Sequence, residues 1–198
     1  MDDKVYMFID TETGGFNPFN HSLLSIGFIV GILKLQEDKY VLETVYSKEI
    51  FVKEEHIENY KYTSEAISIN GIKVNSLIKK GIPKSEIIRE IKKIKHDYFR
   101  IYKINVVGHN IDFDLAFVRG LYNSVNEDYS IDFNHRSINT STILQYLYLS
   151  GVLKKEISSL DLATKFFKLN IENRHSAISD CEATASLFVT LLNFGKAT

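Results

Sequence analysis

The stretch KVYMFIDTE, residues 4–12, decides how the rest of the chain is interpreted. Apolar side chains occupy both alternating sets of positions from Lys4 to Asp10, which is typical of a central strand covered on both faces. The segment ends in Asp10 and Glu12, and both carboxylates project the same way because side chains two residues apart on a strand share a face. Two neighbouring negative charges at the end of a core strand repel each other and call for a compensating group.

The pattern around this strand predicts α/β layers. We expect an antiparallel pair at residues 23–35 and 39–50 with a turn at 36–38, and a short strand at 104–107. Helices are expected at residues 54–60, 64–70, just after Pro83, and at 112–123, 141–151, 158–168 and 179–193. These elements indicate helices packed over a mixed sheet.

Length and composition fit one globular domain over residues 1–198, with 44% apolar and 25% charged residues. The single cysteine, Cys181, excludes an intramolecular disulfide and a cysteine-rich zinc site. The N-terminus carries acids where a signal peptide would carry basic residues, and no apolar run has the length of a membrane span. We therefore expect a cytoplasmic protein without a membrane partner.

Two further acids lie in apolar helical stripes. Asp114 precedes the stripe Phe117, Val118 and Leu121, and Asp180 precedes the stripe Ala183, Thr184, Leu187 and Leu191. Each acid is thus expected on the face of its helix that is turned toward the sheet. Alone, each is equally well explained as a helix cap or dipole partner, and Asp10 as a turn former. Four acids converging on one sheet edge instead favour hard divalent ions, Mg²⁺ or Mn²⁺, as the counter-charge.

A histidine lies near the last of these acids. His175 precedes Asp180 by five residues, in a segment expected to be a loop at the mouth of the acidic cluster. A loop histidine is ordinarily just solvated. Beside an activated water it is a candidate general base, because its unperturbed pKa of about 6.5 suits proton removal near neutral pH.

Three segments together resemble the motifs of the DEDDh (DnaQ-like) 3′→5′ exonucleases, including chains similar to the epsilon subunit of bacterial DNA polymerase III. They are DTE at residues 10–12, VGHNIDFD at 107–114 and HSAISD at 175–180, and the intermediate segments AISINGI at 66–72 and SLDLA at 159–163 fit as well. The resemblance covers residues 5–188. It implies an RNase H-like fold, a five-stranded mixed β-sheet with helices on both faces. It also implies hydrolysis assisted by two divalent metal ions, Mg²⁺ or Mn²⁺.

The resemblance also implies roles for individual residues. Metal ligands would be Asp10, Glu12, Asp114 and Asp180, with His175 as the general base. Substrate contacts would come from Thr11, Thr13, Gly14, Gly15, Phe16, His109 and Asn110. Gly14 and Gly15 are also explained by a plain turn, and Asn110 by a helix N-cap. Asn139 departs from the family pattern, since many relatives carry Asp there, and this points to altered local packing or substrate orientation.

The implied activity is release of nucleoside 5′-monophosphates from the 3′ end of single-stranded nucleic acid, with DNA favoured. Alternatives within the family are an RNA 3′-end trimming exoribonuclease and an oligoribonuclease. An alternative from another class is a non-catalytic nucleic-acid-binding module of a polymerase or repair complex, but all five catalytic residues are present. A polymerase or repair partner and a homodimer are left open.

The charge balance contains one local excess. The chain has 24 Lys and Arg against 25 Asp and Glu, a formal charge of −1. From Lys79 to Lys103, however, nine basic residues face three acids. This run is either the solvated face of an amphipathic helix or a track for the substrate backbone. The second interpretation predicts that Lys92, Lys93 and Lys95 contribute to single-strand binding.

Overall fold

The computed structural model of the chain describes residues 4–170 and 176–197. Its sheet is built from strands β1 to β6 at Lys4–Thr13, Leu23–Gln36, Lys39–Lys53, Ile82–Pro83, Ile104–Gly108 and Phe133–Asn139. Their order across the sheet is β4-β3-β2-β1-β5-β6. Strand β1 pairs antiparallel with β2 and parallel with β5, so the sheet is mixed, as predicted.

The central position of β1 follows from its composition. Met7, Phe8 and Ile9 are all buried, and consecutive strand residues point to opposite faces. Met7 and Ile9 belong to the larger hydrophobic core, whereas Phe8 belongs to a second core on the other face. A strand buried on both faces must have layers above and below it.

The turn between β2 and β3 lies where the break at residues 36–38 predicted it. Gln36 is paired with Lys39, which leaves Glu37 and Asp38 as a two-residue loop. Both loop residues have positive φ, 46° and 65°. This conformation is the one that joins twisted antiparallel strands in the tightest hairpins.

The strand count was wrong, because the described part of the chain forms six strands rather than five. Strand β4 has only two residues, and its pairing with Val52 and Lys53 at the sheet edge leaves no sequence period to detect. Strand β6 was not expected from the residues at all. Its sequence FNHRSIN is largely polar because it forms the opposite edge of the sheet and is partly open to solvent.

The helices are α1 to α8 at Ser64–Asn70, Val74–Lys80, Lys84–Ile94, Ile111–Ser124, Tyr129–Asp132, Thr140–Leu149, Leu160–Phe166 and Ala177–Ala197. The helix expected at 54–60 is only a 3-10 turn at Ile57–Asn59, and α3 continues into a π-helical turn at Lys95–Phe99. No helix in the described ranges is long and apolar enough to cross a membrane.

Helices cover both faces of the sheet, as predicted. Side chains of α3 and α4 pack in the larger core with Met7 and Ile9, and α8 packs on the opposite face beside Phe8. The stripe that follows Asp180 does not face the sheet, which corrects the expectation from sequence. Its members Ala183, Leu187 and Leu191 pack against α6 and α7 instead, and the sheet-facing residues of α8 are Cys181, Ala185 and Phe188.

Candidate active site

Three carboxylates meet at the end of β1. Asp10, Glu12 and Asp180 each offer one oxygen, and these oxygens all lie within 4.8 Å of one another. All three side chains are half-buried. Asp10 and Glu12 share a face of β1, whereas Asp180 arrives from the first turn of α8, 168 residues after Glu12. The cluster therefore exists only when helix and strand are docked.

Gly27 makes that docking close enough. In the sheet register Asp10 lies opposite Gly27, and Gly27 lies opposite Glu49. A Cβ atom at Gly27 would lie 2.4 Å from the carbonyl oxygen of Ala177, the first residue of α8. Without that atom, the start of α8 rests directly on β2, and Asp180 in its first turn comes beside Asp10.

Asp114 approaches the same strand end from α4, on the other side of the sheet. It is 4% exposed, and its Oδ1 accepts two hydrogen bonds from Thr11, one from the backbone N–H at 2.8 Å and one from the hydroxyl at 2.7 Å. Thr11 was expected among the substrate contacts. Both of its donors point at Asp114 and its side chain is buried, so we assign it a positioning role.

Burial and neighbouring negative charges raise the pKa of two of the acids, Glu12 and Asp114. Burial, followed by the charges of Asp180, Glu49 and Asp114, raises the pKa of Glu12 to about 7. Burial also raises the pKa of Asp114, and the charge of Asp180 adds to the effect, while the hydrogen bonds from Thr11 oppose it. The site thus holds negative charge at an energetic cost that a cation would remove.

The donor set fits a hard divalent cation. Carboxylate oxygens are the ligands that Mg²⁺ and Mn²⁺ take in proteins, and the spacing of the oxygens of Asp10, Glu12 and Asp180 lets one ion contact all three. The raised pKa of Glu12 points the same way, because an adjacent cation favours the ionised form. Asp114 lies outside this three-residue group, so it is placed to assist from the side rather than to share the same contact.

The segment after Glu12 is held tightly by backbone contacts. The N–H of Gly14 donates to the carbonyl of Ser22 at 2.8 Å, and its own carbonyl accepts from the N–H of Thr63 at 2.7 Å. A Cβ atom at Gly14 would lie 2.1 Å from the carbonyl oxygen of Lys61. A plain turn does not fully explain Gly14. Glycine is required at this position because two backbones approach each other closely.

The residues around Gly14 frame an aromatic surface. The hydroxyl of Thr13 donates to the carbonyl of Gly15 at 2.9 Å, which fixes the loop that leads to Phe16. The ring of Phe16 is 87% exposed, and its centroid lies 6.4 Å from that of Phe113 in an edge arrangement. Exposed aromatic rings beside an acidic cluster offer a stacking surface for a planar ligand.

The second strand-helix junction is tied together by polar contacts. His109 shares a 3.0 Å hydrogen bond between its Nδ1 and the hydroxyl of Thr140. Asn110 occupies the N-cap position of α4 with φ of 61°, but its side chain makes no capping hydrogen bond and is exposed. Its backbone N–H donates to Oδ1 of Asn139, which also caps α6 through Ser141. The neutral Asn139 thus serves local packing between β5 and α6.

Two further expectations concern His175 and the basic run from Lys79 to Lys103. His175 lies in residues 171–175, outside the described part of the chain, so its role stays a prediction. In the basic run, Lys92 pairs with Glu127 at 2.7 Å and Lys95 pairs with Asp132 at 3.0 Å. These ion pairs engage the two lysines within the protein and weigh against a substrate track at this place.

Sequence reasoning missed several residues that shape the site. Glu49 contributes negative charge next to Glu12, and Phe113 pairs with Phe16. Asn70 donates from Nδ2 to the carbonyl of Thr13 at 3.1 Å and so supports the loop after β1. Gly27 alone carried a usable signal, because a glycine inside a strand often marks a close approach of another backbone.

Comparisons with known proteins agree with this geometry. The family model RNase_T, described as exonuclease, matches residues 7–188. Ribonuclease T of Shewanella denitrificans is 30% identical over 194 residues, covering 96% of this chain and 80% of that protein.

Solved structures share the fold at low sequence identity. The nuclease domain of 3′hExo, a DEDDh family member bound to rAMP, has a TM-score of 0.72 at 18% identity and covers 96% of this chain and 92% of that chain. Exonuclease I of E. coli, in complex with a dT13 oligonucleotide, has a TM-score of 0.74 at 18% identity. That match covers 98% of this chain but only 42% of the exonuclease I chain. The likeness confirms the RNase H-like fold.

The family match spans most of the chain, and it includes the end of β1 where Asp10, Glu12 and Asp180 meet and where Asp114 binds Thr11. The chain therefore belongs to the RNase T exonuclease family and is an enzyme of the 3′→5′ exonuclease class.

Proposed function

We propose that the protein removes single nucleotides from the 3′ end of single-stranded nucleic acid by hydrolysis of the terminal phosphodiester. The observation that carries the proposal is the group of Asp10, Glu12 and Asp180, whose oxygens lie within 4.8 Å of one another beside the buried Asp114. Such a group concentrates partly buried negative charge, which is costly unless a cation compensates it.

Each acid has a distinct part in this proposal. Asp10, Glu12 and Asp180 hold divalent ions, and Asp114 completes the site in the orientation that Thr11 fixes. When bound, divalent ions stabilise the negative charge that develops on the attacked phosphate and lower the pKa of water. His175, five residues before Asp180 in the sequence, takes the proton from the attacking water in this proposal.

The aromatic pair positions the substrate. The ring of Phe16 is exposed and has Phe113 beside it, so the terminal base can stack on it. Stacking does not read base identity, so we expect cleavage that is largely independent of sequence. We expect an unpaired 3′ end to be preferred, since a terminal base that is paired has to be separated from its partner before it can turn onto the ring.

The relatives named ribonuclease T support RNA 3′-end trimming as a second candidate beside DNA degradation. DNA was favoured by the likeness of the last motif to polymerase-associated chains. Oligomers of equal length and sequence in DNA and RNA, compared by kcat/KM in one assay, distinguish the two substrates.

The proposal is tested with an oligonucleotide labelled at its 3′ end, incubated with Mg²⁺ or Mn²⁺. The wild type should release labelled mononucleotide, and Asp114→Asn should lose the activity. Asp112→Asn is a matched control, because Asp112 lies in the same first turn of α4 but is exposed. Absence of mononucleotide release by the wild type, or equal activity in both variants, contradicts the proposal.

A further inference from the structure

A cleft opens beside the acidic cluster of Asp10, Glu12 and Asp180. It has a volume of about 330 Å³ and shares Glu12 with the cluster. Its lining carries two basic side chains, Lys73 and Lys80, together with Asn70, Ser76 and a second acid, Glu49. A path therefore leads from the candidate metal ligands to two cations without leaving the cleft.

The sheet register sets the scale of this cleft. Glu12 lies opposite Ser25, and Ser25 lies opposite Phe51, so the three side chains form one row on the same face of the sheet. Neighbouring strands are about 4.8 Å apart, which places Phe51 about 10 Å from Glu12. The Nζ of Lys80 lies 3.3 Å from the centre of the Phe51 ring. A cation is thus held about two strand spacings from the acid.

The contact with Phe51 keeps the charge of Lys80 available. An ammonium over an aromatic face is attracted by the ring but keeps its full charge and its outward hydrogen-bond donors. Within residues 4–170 and 176–197, neither Lys73 nor Lys80 forms an ion pair, and both are exposed.

Three other lysines of the basic run, Lys84, Lys92 and Lys95, are already paired. Lys84 binds Glu54 at 2.8 Å, in addition to the pairs of Lys92 and Lys95 with acids described above. These lysines have carboxylate partners that a phosphate would have to displace. Lys80, at the first end of the run, lines the cleft, whereas no residue of α3 does.

We propose that Lys73 and Lys80 form a phosphate-binding site that holds the sugar-phosphate backbone of the strand whose 3′ end enters the acidic cluster. The proposal rests on the proposed function and adds to it the residues that bind the polyanion. Lysine suits this role because its compact ammonium recognises phosphate as a point charge, independent of base and sugar. Two cations near four acids also offset the repulsion that the cluster exerts on an approaching anion.

The test compares Lys73→Ser/Lys80→Ser with the matched control Lys79→Ser. Lys79 is exposed, lies next to Lys80 in α2 and does not line the cleft. Binding of a 5′-fluorescein single-stranded oligonucleotide is followed by anisotropy in EDTA, so that no cleavage occurs. We expect about tenfold weaker binding by the double variant at low salt. The slope of log affinity against log salt should fall by about 1.4, since each phosphate contact contributes about 0.7 on single strands.

A conservative variant separates charge from folding. Lys73→Arg/Lys80→Arg should restore the affinity and the salt slope, because both cations are retained. In Mg²⁺, the serine double variant should show a raised KM with kcat nearly unchanged. Equal affinity and slope in the double variant and Lys79→Ser, including the case in which none of the proteins binds the oligonucleotide, overturns the proposal. Failure of the proposed function gives a different result, namely no mononucleotide release by the wild type.

Discussion

Glu12 is ionised at a cost to the folded chain. Burial and the charges of Asp180, Glu49 and Asp114 raise its pKa from 4.5 to about 7. In the unfolded chain the pKa returns to its ordinary value. Between about pH 5 and pH 7 the folded protein therefore binds more protons than the unfolded chain, and its free energy of unfolding falls as the pH rises. Above about pH 7 both states are ionised and the loss is complete.

Glu12→Gln should remove this loss. In the absence of divalent ions we expect the variant to gain on the order of 1 to 3 kcal/mol in the free energy of unfolding at pH 8, and almost nothing at pH 4. Urea denaturation at the two pH values measures the difference. Glu182→Gln in α8 is the control, because Glu182 is exposed and should respond little at either pH. A gain of equal size at both pH values contradicts the electrostatic explanation.

Thr11 acts on the site through Asp114. Thr11→Val keeps the shape of the buried side chain and the backbone donor, but it removes the hydroxyl that donates to Oδ1 of Asp114 at 2.7 Å. A hydrogen bond to a charged group contributes about 1.5 to 3 kcal/mol, so we expect a stability loss of that size at pH 8 together with a lower kcat.

Thr13→Val is the control for that substitution. Thr13 is buried to a similar degree, but its hydroxyl donates to the neutral carbonyl of Gly15 at 2.9 Å. Its loss should cost about 1 kcal/mol. Denaturation and steady-state kinetics are measured for both variants. Equal stability losses would contradict the explanation that the hydroxyl of Thr11 donates to a charged carboxylate.

Among the elements, the contact between β2 and α8 sets the position of Asp180. Gly27→Ala places a Cβ atom 2.4 Å from the carbonyl oxygen of Ala177, so the helix has to move away from the sheet. Overpacking of this kind costs about 1 to 3 kcal/mol. We expect the loss of activity to exceed what the stability loss explains, because Asp180 moves away from Asp10.

Gly195→Ala, in α8, provides the comparison for Gly27→Ala, in β2. A Cβ atom at Gly195 meets nothing within 4 Å, so alanine should be neutral or stabilise α8 by about 0.5 to 1 kcal/mol. Thermal denaturation and mononucleotide release are measured for both variants. Full activity in Gly27→Ala shows that the helix does not depend on this contact.

The elements also show which parts of the fold can be predicted from the sequence. The strands expected at residues 4–10 and 23–35 were found as β1 and β2 because their apolar pattern is a direct consequence of burial. The strand expected at 39–50 was found as β3, although only Ile50 and Val52 in it are buried, because β-branched and aromatic residues are typical of strands. Strand β6 was missed because an edge strand needs few apolar residues, and its partner β5 lies far away along the chain. The hydrogen bonds from Thr11 to Asp114 join residues 103 positions apart, and no local pattern encodes them.

At the scale of the whole molecule, the near-neutral charge conceals an uneven distribution. The formal charge is −1, yet Asp10, Glu12, Asp114 and Asp180 converge on one sheet edge from three separate elements. Folding brings these charges together. The raised pKa of Glu12 reflects part of the free energy that this costs the folded state. A ligand that binds only the folded arrangement must therefore stabilise the whole chain.

Mn²⁺ should accordingly raise the melting temperature at pH 8. An ion present at about 100 times its Kd adds about 2.7 kcal/mol to the free energy of unfolding, which corresponds to about 5 to 10 °C for a chain of this size. At pH 5 the rise in melting temperature should be much smaller. Glu12, with its pKa of about 7, is then protonated, and the proton competes with the metal ion for the carboxylate. Asp180→Asn should abolish the rise and Asp112→Asn, at an exposed position, should keep it. A rise that persists in Asp180→Asn places the ion elsewhere on the molecule, since three carboxylates from two elements have to act together to hold it at this sheet edge.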